Sequence, residues 1–201
     1  MDTVLPSASD LTRNAGAVRH HLKTATQARH MQLDAMVGSM QDADQYRRYV
    51  SGIGAFRIYM EARLDRLLPP EHAGQWQPTR LAMSLRADML ALGLAPFTPA
   101  VAFTPVTPAQ VLGACYVLEG SSLGARVLLP RVTALGFGPA TGAGHLHQQA
   151  RATGWRDFLT CLDSAPACDR DAMVAAACAT FDVAISAMRH ACTAPQPGAT
   201  A

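Results

Sequence analysis

The stretch Leu22-Lys23-Thr24-Ala25-Thr26-Gln27-Ala28-Arg29-His30 decides how the chain is read. Leu22 and Thr26, continued by Leu33 and Val37, recur at the period of a helix with one buried face. His30 falls on that stripe and is expected to face inward among apolar neighbours. Lys23 lies two turns upstream on nearly the same side, ~10 Å along the axis at 1.5 Å per residue. A neutral imidazole facing a cavity, with a cation that far off, suits a flat dianionic ligand carrying a metal at its centre. The same spacing fits a hydrogen-bonded core histidine with a lysine on the rim.

Outward from this helix, the chain of 201 residues fits one domain with a sizeable core. It is 49% hydrophobic, which excludes a disordered protein. A net charge of +2 is too small a bias to imply a nucleic-acid partner. No apolar stretch reaches the ~18 residues of a membrane span, so no membrane partner is expected. A basic-then-apolar leader is not seen at the N-terminus, and a cytoplasmic protein is expected. The five cysteines (Cys115, Cys161, Cys168, Cys178 and Cys192) show no C-x-x-C spacing and read as small buried residues in a reducing compartment.

The rest reads as helices, with no alternating β-branched runs. Residues 1–9 are expected to be a flexible leader, 10–192 a single all-α domain, and 193–201 a disordered tail. The first helix covers about Asp10 to Gly38 with a break near Asn14–Gly16. Asp42 and Gln45 resemble a capping box for the second, whose stripe is Tyr46, Tyr49, Ile53, Phe56, Met60 and Leu64, then Leu67 before Pro69-Pro70. A third covers about Thr79 to Leu92. Thr107-Pro108-Ala109-Gln110 is the clearest helix start in the chain. The fourth helix carries Val111, Leu112, Cys115, Leu118, Leu123 and Val127 to about Leu129, with Pro130 bending or ending it. Residues 136–144 are a loop. A fifth helix holds Trp155, Phe158, Leu159 and Leu162, and the last runs from about Asp169 to Cys192.

Inside the fourth helix stands Tyr116-Val117-Leu118-Glu119-Gly120-Ser121-Ser122-Leu123-Gly124-Ala125-Arg126. Its two glycines lie four apart on one face, and each costs roughly 1 kcal/mol relative to alanine in a helix interior. Either something flat comes against the backbone there, or another helix packs closely through small residues. Ser121 and Ser122 can bond back to carbonyls and bend the helix. A phosphate loop is excluded, because G-x-x-x-x-G-K-[ST] is absent.

Together the two segments resemble the haem oxygenase family. Leu22-Lys23-x-x-Thr26-x-x-x-His30 looks like its proximal helix. Tyr116 through Gly124 is similar to the distal helix of bacterial members, especially those associated with bacteriophytochromes. Trp155-x-x-Phe158-Leu159 and Ala179-Thr180-Phe181 match the last two helices in order. The likeness covers about residues 18–190. Two departures stand out: Ser121 occupies the position of an aspartate found in animal members, and Ala125 replaces the second glycine of a closing pair, where it could crowd the haem.

The resemblance implies a helical bundle with haem, both substrate and cofactor, between a proximal helix and a glycine-bent distal helix. It implies His30 as the iron ligand, a neutral imidazole with no strong carboxylate partner. It implies that Gly120, Ser121 and Gly124 line the reacting side, and that ordered water supplies the proton. Lys23 and Arg156 are implied partners of the propionates, with Arg19, His20 and Tyr116 as weaker candidates, and Phe181 packs on the ring. The implied reaction cuts haem to biliverdin, carbon monoxide and ferrous iron with dioxygen and electrons from a reductase or ferredoxin. A bacteriophytochrome is the implied acceptor of biliverdin. A haem-storage or haem-sensing protein of the same fold is the alternative; paired E-x-x-H motifs of a di-iron protein are absent.

Overall fold

The computed structural model describes residues 8–65, 76–164 and 169–194, and every regular element among them is a helix. These are α1 (Ala8–Val37), α2 (Ala43–Leu64), α3 (Ala82–Ala91), α4 (Pro108–Ala134), α5 (Gly144–Arg151), α6 (Gly154–Ser164) and α7 (Arg170–Thr193). Residues 1–7 of the expected leader and 195–201 of the expected tail lie outside the described residues, as do Leu67, Pro69, Pro70 and Cys168.

The caps act as their sequences dictate. Asp42 accepts the Gln45 N–H at the start of α2. Thr107 and Gln110 form a reciprocal capping box on α4, with Pro108 at the first helical position. Four expectations change. α1 is continuous through Asn14–Gly16. α4 runs on through Pro130 to Ala134, because its neighbours keep the remaining helical bonds. α3 starts at Ala82 rather than Thr79, because Glu61 of α2 accepts the Leu81 and Ala82 N–H groups and fixes the start there. The segment after the glycine-rich loop forms a separate helix, α5, before α6.

α7 is the centre of the bundle and packs against α1, α2 and α4. A larger core holds Leu22, Phe56, Met60, Leu118, Phe158 and Phe181. A second, around Tyr46, Val50, Leu92, Leu128 and Leu146, joins α2, α4 and α5. α4 and α7 are each long and apolar enough to cross a membrane, contrary to the sequence reading. Alanine and cysteine among scattered leucines, valines and methionines keep hydropathy high without long aliphatic runs, and about half of the apolar stretch of each is buried in the bundle (50% and 56%). Among the described cysteines, Cys115 is buried, Cys161 and Cys178 half-buried and Cys192 exposed, all as free thiols. Burial pushes the Cys115 thiol well above its ordinary range.

Asp88 of α3 anchors the start of α5. Its carboxylate accepts the Gly144 and His145 N–H groups at 2.9 and 2.8 Å and lies 2.7 Å from His145 Nδ1. Burial lowers the His145 pKa below 6.5, although Asp88 opposes the shift. Burial raises the Asp88 carboxyl, but the bonds from His145 and Gly144 outweigh it and hold the pKa below its ordinary value. Both groups therefore bind more protons unfolded than folded on the acid side. Stability is expected to fall as pH drops below about 6.5, the unfolded histidine value. Denaturant unfolding at neutral and mildly acid pH should show a smaller loss for His145→Gln than for the natural protein; equal losses would show that His145 is not the group responsible.

Candidate functional site

α1 and α4 both lie on α7 and both contact α6, without extensive packing on each other. The two come near each other where the Tyr116 phenol of α4 neighbours Thr26 of α1, whose hydroxyl donates to Leu22 O at 2.7 Å. Burial raises the pKa of that phenol, and the neighbouring Thr26 side chain opposes the shift. Gly120, Leu123, Gly124 and Val127 fall within ~80° of Tyr116 at ~100° per residue, so this side of α4 is turned toward α1. It is apolar and open. Leu123 and Val127 are 48% and 56% exposed. A Cβ on Gly124 would meet nothing within 4 Å, and one on Gly120 would touch only the Trp155 ring, at 3.5 Å. Neither glycine is therefore required by packing within the protein. Ala125 points the other way, into the second core, and does not crowd this face.

His30 is not inward as the stripe suggested; its side chain is 62% exposed. The physical reason is angular. At ~100° per residue His30 stands ~80° from Leu22 and beside Lys23, at the margin of the face that α7 covers. Its Nδ1 lies 2.9 Å from Oδ2 of Asp34, one turn on. Phe181 of α7 meets the imidazole edge-on, with ring centroids 5.9 Å apart. Of the two neutral tautomers, this contact suits the one with the proton on Nδ1, whose Nε2 lone pair is the form a metal needs. The expectation of an imidazole without a carboxylate partner is corrected by this pair. Asp34 is itself largely exposed, so solvent moderates its effect. The i,i+4 spacing of His30 and Asp34 was the available signal.

The cations sort into two groups. Arg19 pairs with Asp163 and donates to Leu159 O, tying α1 to α6. Arg29 pairs with Asp182 of α7 at 2.8 Å. Lys23, Arg156 and His20 are exposed. Among the described residues, neither the Lys23 ammonium nor the Arg156 guanidinium has a protein partner. Arg156 follows Trp155, which meets Tyr116 edge-on at 5.5 Å and walls Gly120.

Ser121 is committed elsewhere. Its hydroxyl donates to Leu118 O at 2.6 Å and accepts from Gln149 Nε2 at 2.6 Å, so it offers no donor to the open face. The structure thus joins His30 to Phe181, and Tyr116 to Trp155, which walls Gly120. It leaves Lys23 and Arg156 as separate charges. Sequence reasoning missed Asp34, Gln149 and the wall made by Trp155.

No family model matches the chain. Among curated proteins it is similar to heme oxygenase PigA of Pseudomonas aeruginosa, 30% identical over 175 residues, covering 81% of this chain and 84% of that one. Among solved structures it is similar to the NO- and CO-bound heme oxygenase of Neisseria meningitidis. That match has a TM-score of 0.64 and 21% identity, over 91% of this chain and 98% of the other.

Proposed function

Because the chain belongs to the haem oxygenase family, we propose that it binds haem between α1 and α4 and cuts it to biliverdin, carbon monoxide and ferrous iron. The observation that carries this reading is the His30 imidazole. Its Nδ1 lies beside Asp34 and its Nε2 has no protein partner among the described residues, while the side of α4 turned toward α1 is apolar and left open at two glycines.

The residues present fit haem. A haem iron needs only one or two ligands from the protein. Among the described residues no three His, Cys, Asp or Glu side chains are placed to hold a bare metal ion. Bound haem supplies the iron centre and its redox chemistry, and is the molecule consumed. Everything else falls to the chain. His30 holds the iron side, and Asp34 fixes its tautomer. Phe181 braces the imidazole. Leu123 and Val127 offer apolar surface to the ring, and the bare backbone at Gly120 and Gly124 lets a flat molecule approach closely. With Ser121 turned to Leu118 and Gln149, no side-chain acid stands at the position of the animal aspartate, which leaves ordered water to bring protons to that side.

Dioxygen and electrons come from outside the chain, the latter from a reductase or a ferredoxin. A cytoplasmic site of action and a bacteriophytochrome as acceptor of the product complete the reading. Titration with hemin is expected to end at one equivalent with a histidine-type Soret band. Ascorbate in air should then bleach that band and raise red absorption. A Soret band that persists under ascorbate would instead mark a haem-storage protein.

Lys23 and Arg156 seat the ring by its propionates. Such exposed, charge-assisted bonds are worth only ~0–1 kcal/mol each, so they matter for orientation more than affinity. The Lys23→Ala, Arg156→Ala double variant is expected to bind hemin nearly as well but to give a different ratio of biliverdin isomers on chromatography. An unchanged ratio would show that apolar contacts alone orient the ring.

A further inference from the structure

We propose that Arg57 is a positioning residue for haem cleavage: from α2 it sets the backbone of α4 at the glycine pair, and so where on the ring the attack falls. The inference rests on the haem oxygenase reading and deepens it.

Arg57 is fully buried. Its Nη1 donates to Leu118 O at 3.0 Å and its Nη2 to Thr79 O at 2.6 Å. Its Nε lies 2.9 Å from Glu61 Oε1, an ion pair rather than an aligned hydrogen bond. Thr79 closes the ring by donating its N–H and hydroxyl to the buried Glu119 carboxylate, at 2.7 and 2.8 Å. Leu118 and Glu119 are thus held from outside α4 immediately before Gly120. The Leu118 carbonyl also accepts the Ser121 hydroxyl, and Glu119 O accepts that of Ser122 at 2.8 Å. A carbonyl has two lone pairs, so two side-chain donors on Leu118 O compete with the Ser122 N–H, as donors that bend helices do. The same cluster sets the wall. A Cβ on Gly154 would collide with the Glu119 carboxylate and the Thr79 hydroxyl, so glycine there lets α6 come down with Trp155 against Gly120.

Burying an ion pair adds little net stability, so the distinctive contribution of Arg57 is geometric. A guanidinium is a rigid fork that can serve two carbonyls and a carboxylate together; an ammonium is a point charge. Arg57→Lys therefore keeps the charge and loses the bridge. It is expected to bind hemin with the same histidine-type Soret band. The C–O stretch of its ferrous carbon monoxide complex should shift, the isomer ratio change and turnover fall about tenfold or more, as small misplacements at a reacting centre do.

Tyr46→Phe, which removes a bond to Gly142 O far from the cluster, is the control for general loosening and should leave the stretch unmoved. An unshifted stretch and isomer ratio in Arg57→Lys would overturn the proposal. If that variant does not fold, Thr79→Val, which removes one hydroxyl, should shift the stretch less but in the same direction, and no shift would overturn it. The two readings fail separately. A natural protein that does not consume haem refutes the enzyme reading. A natural protein that does, beside an unaltered Arg57→Lys, refutes only the role of Arg57.

Discussion

Gly124→Leu is expected to give a more stable protein that no longer turns over haem. Leucine in place of glycine within an exposed stretch of helix gains up to ~1 kcal/mol from propensity. The site adds no clash, because a Cβ there meets nothing within 4 Å. For a chain of this size that gain raises the melting temperature by about 2–4 °C. The same side chain stands where the ring must approach α4, so single-turnover consumption of bound haem should fall at least about a hundredfold. Opposite signs separate the two explanations for the glycine pair. A packing glycine would lose stability on substitution, and a glycine kept for a ligand loses only function. Normal turnover in a stabilised variant would show that the ring does not lie against this face.

His30→Ala should have the second large effect, and it too should spare the fold. The imidazole is mostly exposed and makes only the Asp34 pair and the Phe181 edge contact, so unfolding should change by no more than ~0.5–1 kcal/mol. The histidine-type spectrum of the hemin complex should be lost together with turnover, and added imidazole should restore part of both. Asp34→Ala should keep the spectrum, because it removes the group that orients the ligand and not the ligand itself. A normal spectrum in His30→Ala would place the iron on another residue.

Much of this was written locally in the chain. Thr107 through Gln110 declares a helix start, and Asp42 with Gln45 another, because caps are short-range hydrogen bonds between near neighbours. The lysine-to-histidine run and the glycine pair sit where their spacing placed them, on α1 and α4. What stayed hidden depends on which face a neighbour covers. His30 lies at the edge of the α1 stripe, and only the placement of α7 shows that the stripe ends before it. Leu123 and Val127 match the hydrophobic period of α4, yet among the described residues no helix packs over them. α5 is eight residues long and begins at a glycine, so its start comes from the Asp88 carboxylate, 56 residues away. The Arg57 cluster was equally out of reach: three elements meet there through carbonyls, and carbonyls leave no mark in sequence.

Haem held on His30 is expected to be cut by oxygen on the glycine side of α4. The decisive measurement is chromatography and mass analysis of the pigment left after the hemin complex reacts with ascorbate in air, with catalase present. The expected product is an open-chain biliverdin with one carbon fewer than the haem macrocycle, accompanied by carbon monoxide. Recovery of intact haem, or of breakdown products with no biliverdin, would contradict it.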